Sequence, residues 1–104
     1  MTEHNIGSLT ALLDERAARF ELDGTPVCVV RNGNDVYAIN DVCSHADISL
    51  SEGEVICEDL EIECWKHGSA FSLVTGLPST LPATQPVAVY VTHIRSGDVI
   101  IEVP

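Results

Sequence analysis

The sequence predicts an all-β domain built from small antiparallel sheets packed as a sandwich or barrel. Three observations lead there. Apolar residues recur with a period of two in short runs, as in Ala18, Phe20 and Leu22, and again in Val99, Ile101 and Val103. Gly, Pro, Asn and Asp punctuate these runs at close intervals. No stretch sustains a helical period beyond a turn or two. At 104 residues the chain, read as one domain over 1–104, has no room for a second, catalytic one.

Taken in order, residues 8–15 suggest a short helical turn capped by Ser8, preceded by a disordered start that includes His4. From Ala17 the period becomes two, with Arg19, Glu21 and Asp23 on the opposite face, and a half-buried strand is expected. Asp23-Gly24-Thr25-Pro26 turns the chain into a strand over Val27 to Arg31. Asn32-Gly33 signals a type I′ hairpin turn, which needs positive φ at both central residues, and Asp35 to Ile39 returns. Two short runs, Glu54–Cys57 and Leu60–Glu63, turn at Glu58-Asp59. Ala70 to Leu73 with Thr75-Gly76 suggests one more small hairpin. Pro78, Pro82 and Pro86 make 77–86 a stiff loop, because Pro fixes φ and removes a donor. Two strands close the chain: Val87, Val89 and Val91 form one face of the first, His93 continues it, and Arg95-Ser96-Gly97-Asp98 leads to the second.

The net charge of −11 argues against nucleic acid and anionic membranes as partners, since both need a basic face. It suits steering toward a basic protein. Six acids, Glu52, Glu54, Glu58, Asp59, Glu61 and Glu63, fall in 52–63 with no Lys or Arg among them. They make a solvated hairpin face, a docking surface, or both. No apolar run approaches the length needed to span a bilayer, and the first residues lack the basic start and apolar stretch of a signal peptide. A cytoplasmic monomer is expected. Cys28 and Cys57 lie in apolar, strand-like runs and are expected to be plain buried thiols. No Ser-His-Asp pattern, phosphate loop or Rossmann fingerprint is present.

Chemistry concentrates in two fragments, Cys43-Ser44-His45 and Cys64-Trp65-Lys66-His67. Together they read Cys-x-His, 18 residues, Cys-x-x-His. Each begins where a predicted strand ends in a loop, so a Cys and a His two or three residues apart can converge on one site. Two centres accept this donor set. A Rieske-type [2Fe–2S] centre holds one iron by two Cys and the other by two His. A structural zinc ion takes all four in a tetrahedron. Zinc fingers usually keep Cys with Cys and His with His, so the mixed fragments favour the iron–sulfur centre, with zinc as the alternative.

Over nearly its whole length the sequence resembles the Rieske ferredoxins. The likeness is carried by Val36-Tyr37-Ala38-Ile39, Cys43-Ser44-His45, Leu50-Ser51-Glu52-Gly53, Cys64 to Phe71 and Thr75-Gly76. The resemblance implies one [2Fe–2S] cluster, with ligands Cys43, His45, Cys64 and His67 and both histidines bound through Nδ1. It implies the Rieske fold: three small antiparallel sheets, with a cluster-binding subdomain of two loops, roughly 41–76, at one tip and the proline loop beside it. Around the ligands it marks Trp65, Lys66, Gly68, Ser69 and Phe71. Gly68 is expected to allow close backbone approach, Ser69 to donate to a bridging sulfide, and Trp65 to pack in its loop or form part of a docking patch.

Departures from the respiratory Rieske proteins matter too. Those carry an extra Cys in each loop, forming a disulfide; Ile48 and Lys66 stand at the matching positions. They also use a Tyr hydroxyl to hydrogen-bond a ligand sulfur, where this chain has Phe71. Hydrogen bonds to sulfur stabilise the reduced cluster, so losing one lowers the potential. A value of about −150 mV is expected, with little proton coupling near pH 7. In function the chain resembles one-electron carriers, not enzymes. The implied donor is a flavoprotein reductase, and the acceptor a non-haem iron oxygenase or an iron–sulfur cluster-assembly protein. The small subunit of an assimilatory nitrite reductase is the alternative.

Overall fold

The computed structural model describes residues 2–43, 48–65, 68–79 and 85–104. Nine strands are found among them: β1 (Thr2–Ser8), β2 (Ala17–Leu22), β3 (Thr25–Asn32), β4 (Asp35–Asn40), β5 (Val55–Ile56), β6 (Glu61–Glu63), β7 (Ala70–Ser72), β8 (Val89–Arg95) and β9 (Asp98–Val103). All strand pairs are antiparallel. One sheet has six strands in the order β1-β9-β8-β4-β3-β2, and the other has three, β5-β6-β7. The six-stranded sheet has two halves joined between β4 and β8 by only two residue pairs, Ala38↔Tyr90 and Ile39↔Val89. With β5-β6-β7 these halves make up the three small sheets expected. No helix among the described residues is long and apolar enough to cross a membrane.

The β3–β4 hairpin separates two cores. Val27 to Val30 are all essentially buried, so β3 is covered on both faces. That explains a continuous apolar run in place of an alternating one. Val27, Val29, Val36 and Ala38 face one core with Tyr90, Val99, Ile101 and Val103. Cys28, Val30 and Ile39 face the other, which holds Cys43, Leu50, Ile62, Cys64, Phe71 and Leu73. The second core carries the two candidate cysteine ligands.

Several local features differ from expectation. The start of the chain is not disordered: β1 pairs with β9, with His4 opposite Ile101. Hydrogen bonds to a distant strand order a segment whose own composition is too polar to show it. Ser8 does cap a turn, accepting from the Thr10 N–H at 3.3 Å, but the turn is a single 3₁₀ turn over Leu9–Ala11. Asn32 ends β3 opposite Asp35, so Gly33-Asn34 forms the turn. Only Gly33 has positive φ, the type II′ pattern. With Asn32-Gly33 as the central pair, fully buried Val30 would face Asp35 instead of Tyr37. The type I′ pattern, positive φ at both central residues, occurs instead at Asp23-Gly24 and Ser96-Gly97.

Val89 and Val91 lie on the outer face of β8 and are exposed, while Tyr90 turns into the core. The Tyr90 hydroxyl is satisfied there by the Asn40 Nδ2 donor at 3.0 Å. Of the proline loop, residues 80–84 lie outside the described residues. Its start pairs with β7: Phe71 bridges Pro78, and the Ser79 N–H donates to the Ala70 carbonyl at 2.8 Å.

Gly76 combines positive φ with a close approach. A Cβ there would collide with the Val87 carbonyl oxygen and touch the Val89 side chain. Gly24 has positive φ but open space around it. Gly76→Ala should therefore cost about 2 kcal/mol or more and Gly24→Ala about 1 kcal/mol. Thermal unfolding followed by circular dichroism should show midpoints lowered by roughly 10 °C and 5 °C, in that order.

Candidate iron–sulfur site

Two loops carry the candidate thiolates, and they are closed in the same way. The Cys43 N–H donates to the Ile48 carbonyl at 2.9 Å, and the Cys64 N–H donates to the Ser69 carbonyl at 2.6 Å. In each case the partner lies five residues on, so each Cys stands at the neck of a tight loop. The second loop is also held by the Gly68 N–H on the Cys64 carbonyl at 2.9 Å, with Gly68 at φ +75°. Both cysteines are almost fully buried and belong to one apolar cluster with Phe71. Two buried sulfurs from equivalent loops, drawn into one dry cluster, fit the cysteine half of a [2Fe–2S] centre. Where the other half is read, at His45 and His67, and at Lys66 beside it, the residues lie outside the described ones.

Of the remaining residues marked around the ligands, Ser69 and Phe71 are fully buried. Trp65 is 54% exposed. Cys28 is a buried thiol as expected; burial pushes its pKa well above the ordinary thiol range, and the charge of Asp41 adds to this. Cys57 is not a core residue. It is partly exposed in the turn after β5, where desolvation and nearby Glu15 and Asp14 raise its pKa.

The neck of the first loop rests on a buried carboxylate, which sequence patterns did not flag. Asp41 is fully buried. Its Oδ1 accepts the Ser51 N–H at 2.7 Å and its Oδ2 accepts Arg19 Nη1 at 2.9 Å. Its backbone bonds Pro26 and Leu50 at 3.0 and 2.6 Å. The same Arg19 Nη1 also donates to Ser49 Oγ at 2.7 Å. Ser49 bridges Val42, so Arg19 holds both ends of the segment 42–49. No local motif reveals this, because Arg19 comes from β2.

Acidic residues gather beside this region. Asp14 and Glu15, remote in sequence, line a groove with Glu52, Glu54 and Glu58, and Arg16 is the basic residue among them. The acidic face is therefore wider than the 52–63 run. A separate grouping, Glu3, His93 and Glu102, lies on the outer face of β1, β8 and β9. Arg95 donates to both Glu3 oxygens at 2.8 Å, and His93 contacts Glu102, so ion pairing within the chain accounts for it. His93 is thus an ordinary surface residue and His4 a strand residue.

The Rieske [2Fe-2S] domain matches residues 4–91. The 3-phenylpropionate/cinnamic acid dioxygenase ferredoxin subunit of Escherichia coli (strain K12) is 43% identical over 84 residues, covering 80% of this chain and 78% of that protein. Among solved structures, the ferredoxin of carbazole 1,9a-dioxygenase from Nocardioides aromaticivorans IC177 superposes with a TM-score of 0.94 at 37% identity, covering 97% of both chains. A ferredoxin structure in complex with the oxygenase of carbazole 1,9a-dioxygenase gives 0.88 at 33% identity, covering 95% of this chain and 91% of that one. A nitrite reductase small subunit from Mycobacterium tuberculosis gives 0.85, but at 20% identity, and shares the fold alone. With its two cysteine loops, its all-β architecture and these matches, the chain belongs to the Rieske [2Fe-2S] domain family.

Proposed function

We propose that the protein is a one-electron carrier that takes electrons from a flavoprotein reductase and passes them to a non-haem iron oxygenase. The cluster is held by Cys43, His45, Cys64 and His67. The observation that carries this reading is the pairing of Cys43 and Cys64 at equivalent loop necks in one buried cluster. The cluster supplies reversible one-electron chemistry. The chain's own residues do the rest. Phe71, Leu50 and Ile62 exclude water from the sulfur side. The backbone bonds at each neck hold the thiolates in place. Exposed Trp65 and the acidic groove offer the surface a partner would meet. The ferredoxin relatives support an oxygenase as acceptor. Nothing in the fold favours a nitrite reductase subunit, since that likeness is one of shape only.

Dithionite reduction should produce a rhombic spin-half electron paramagnetic resonance signal with the low average g-value of a histidine-ligated cluster. Iron and acid-labile sulfide should be present in equal amounts. A silent spectrum from a sample loaded with zinc would overturn the electron-transfer reading.

Redox titration should give a midpoint near −150 mV that hardly moves between pH 6 and 8. Phe71→Tyr should raise it by about 40 mV, the equivalent of about 1 kcal/mol from one hydrogen bond in a one-electron couple. A parent potential well above zero, or one shifting strongly with pH, would contradict the account of Phe71.

Glu54→Lys or Glu58→Lys should slow reduction by the reductase about two- to tenfold at low ionic strength, with the difference fading as salt is added. Stopped-flow traces across a salt series test this. Equal rates at low salt would remove the acidic groove from the docking face.

A further inference from the structure

We infer that Arg19 and Asp41 are positioning residues for the cluster: a polar clamp at the neck of the 42–49 loop that holds Cys43 without a disulfide. The inference rests on the assignment of Cys43 as a ligand. Four observations carry it. Asp41 is a fully buried carboxylate two residues before Cys43, and a buried charge is tolerated only when it is paired and hydrogen-bonded. The four hydrogen bonds of Asp41 tie it to three elements: β2 through Arg19, β3 through Pro26, and the 3₁₀ turn Leu50–Glu52 through Leu50 and Ser51. One Arg19 nitrogen joins Asp41, just before the loop, to Ser49, just after it. The remaining face of the guanidinium is anchored by Glu21, with Nε at 3.2 Å from the Glu21 carboxylate. The guanidinium is thus fixed from outside the loop and cannot follow it.

The geometry has a chemical consequence. The segment between Asp41 and Ser49 carries Cys43, and its backbone is closed by the Val42–Ser49 bridge and the Cys43-to-Ile48 bond. Position 48 is isoleucine, so no disulfide can restrain this loop from within. Beyond its own backbone bonds, the loop is restrained from its base. Arg19 can supply this restraint because a guanidinium presents several donors in one rigid plane. A lysine ammonium could meet Asp41 and Ser49 with its one nitrogen, but it has no second nitrogen with which to hold Glu21 at the same time. Groups that orient metal ligands through hydrogen bonds typically change metal affinity about 10- to 100-fold when removed.

The test uses cluster-loaded protein. The variants are Arg19→Lys, Ser49→Ala and the double variant Arg19→Gln/Asp41→Asn. The double change avoids leaving a buried carboxylate unpaired, which could prevent folding in Arg19→Gln alone. Four quantities are read: the rate of iron loss to a ferrous chelator, the g-values of the reduced cluster, the midpoint potential and the thermal midpoint. The double variant should lose iron about 10- to 100-fold faster than the parent and show shifted or broadened g-values. Arg19→Lys and Ser49→Ala should fall between it and the parent. If the variants unfold at lower temperature but keep the parent's g-values, potential and iron-loss rate, Arg19 and Asp41 are structural only and the inference fails. If the parent itself holds zinc, or no iron, the ligand assignment fails first, and the inference with it.

Discussion

Burial of β3 and β4 on both faces is the constraint on which the rest of the structure depends. A strand covered on one side can alternate apolar and polar residues; Val27 to Val30 cannot, because each residue meets a core. One core closes the six-stranded sheet on itself. The other seats the three-stranded sheet and the two cysteine loops against the back of the hairpin. Volume lost on this wall would open space in one core and loosen the register that the other relies on. The region of the two candidate cysteines is therefore no appendage. It shares a wall with the body of the domain, and Cys28 and Ile39 pack in the same cluster as Cys43 and Cys64.

Polar chemistry is distributed around that apolar wall in a graded way. The sulfur side is dry, lined by Phe71, Leu50 and Ile62. One step out, Asp41 is the charged group admitted to full burial among the described residues, and it is neutralised by Arg19. Farther out, acids predominate along the groove of Asp14, Glu15, Glu52, Glu54 and Glu58. Exposed charges are screened within about 8–10 Å at ordinary salt, so these acids influence encounter more than the energy of a buried electron. The paired buried charge and the dry lining act at short range.

Much of the fold was legible because its signals are local. Period-two runs announced β2 and β9, apolar runs set off by turn residues announced β3 and β4, and the ligand spacing within each loop was visible as contiguous letters. What escaped was whatever depends on a distant partner. β1 carries too few apolar residues to declare itself and is ordered by pairing with β9. The alternation of Val87, Val89 and Val91 marks a strand but not which face is covered. β-branched residues favour extended backbone on either face, and only the packing of Tyr90 shows that Val89 and Val91 point outward. Cys57 sits in an apolar run, yet its turn leaves it beside Glu15. In the site, Cys43 and Cys64 were plain in the sequence. Arg19 and Asp41 were not, because an ion pair across 22 positions leaves no pattern in either neighbourhood.

The connectivity of the six-stranded sheet also orders its assembly in time. β2, β3 and β4 follow one another through two-residue turns, and such hairpins form in about 1–10 μs. The buried residues of the cysteine-bearing core run from Cys28 to Val87, with Ala17 of β2 packed against them, and none comes from β1 or β9. Pairing β1 with β9, by contrast, sets Thr2 opposite Val103, the most distant contact in the molecule's ladders, and the loop entropy for that step is the largest to overcome. The half that carries the candidate cysteines can therefore take shape while β1 and β9 are still unpaired.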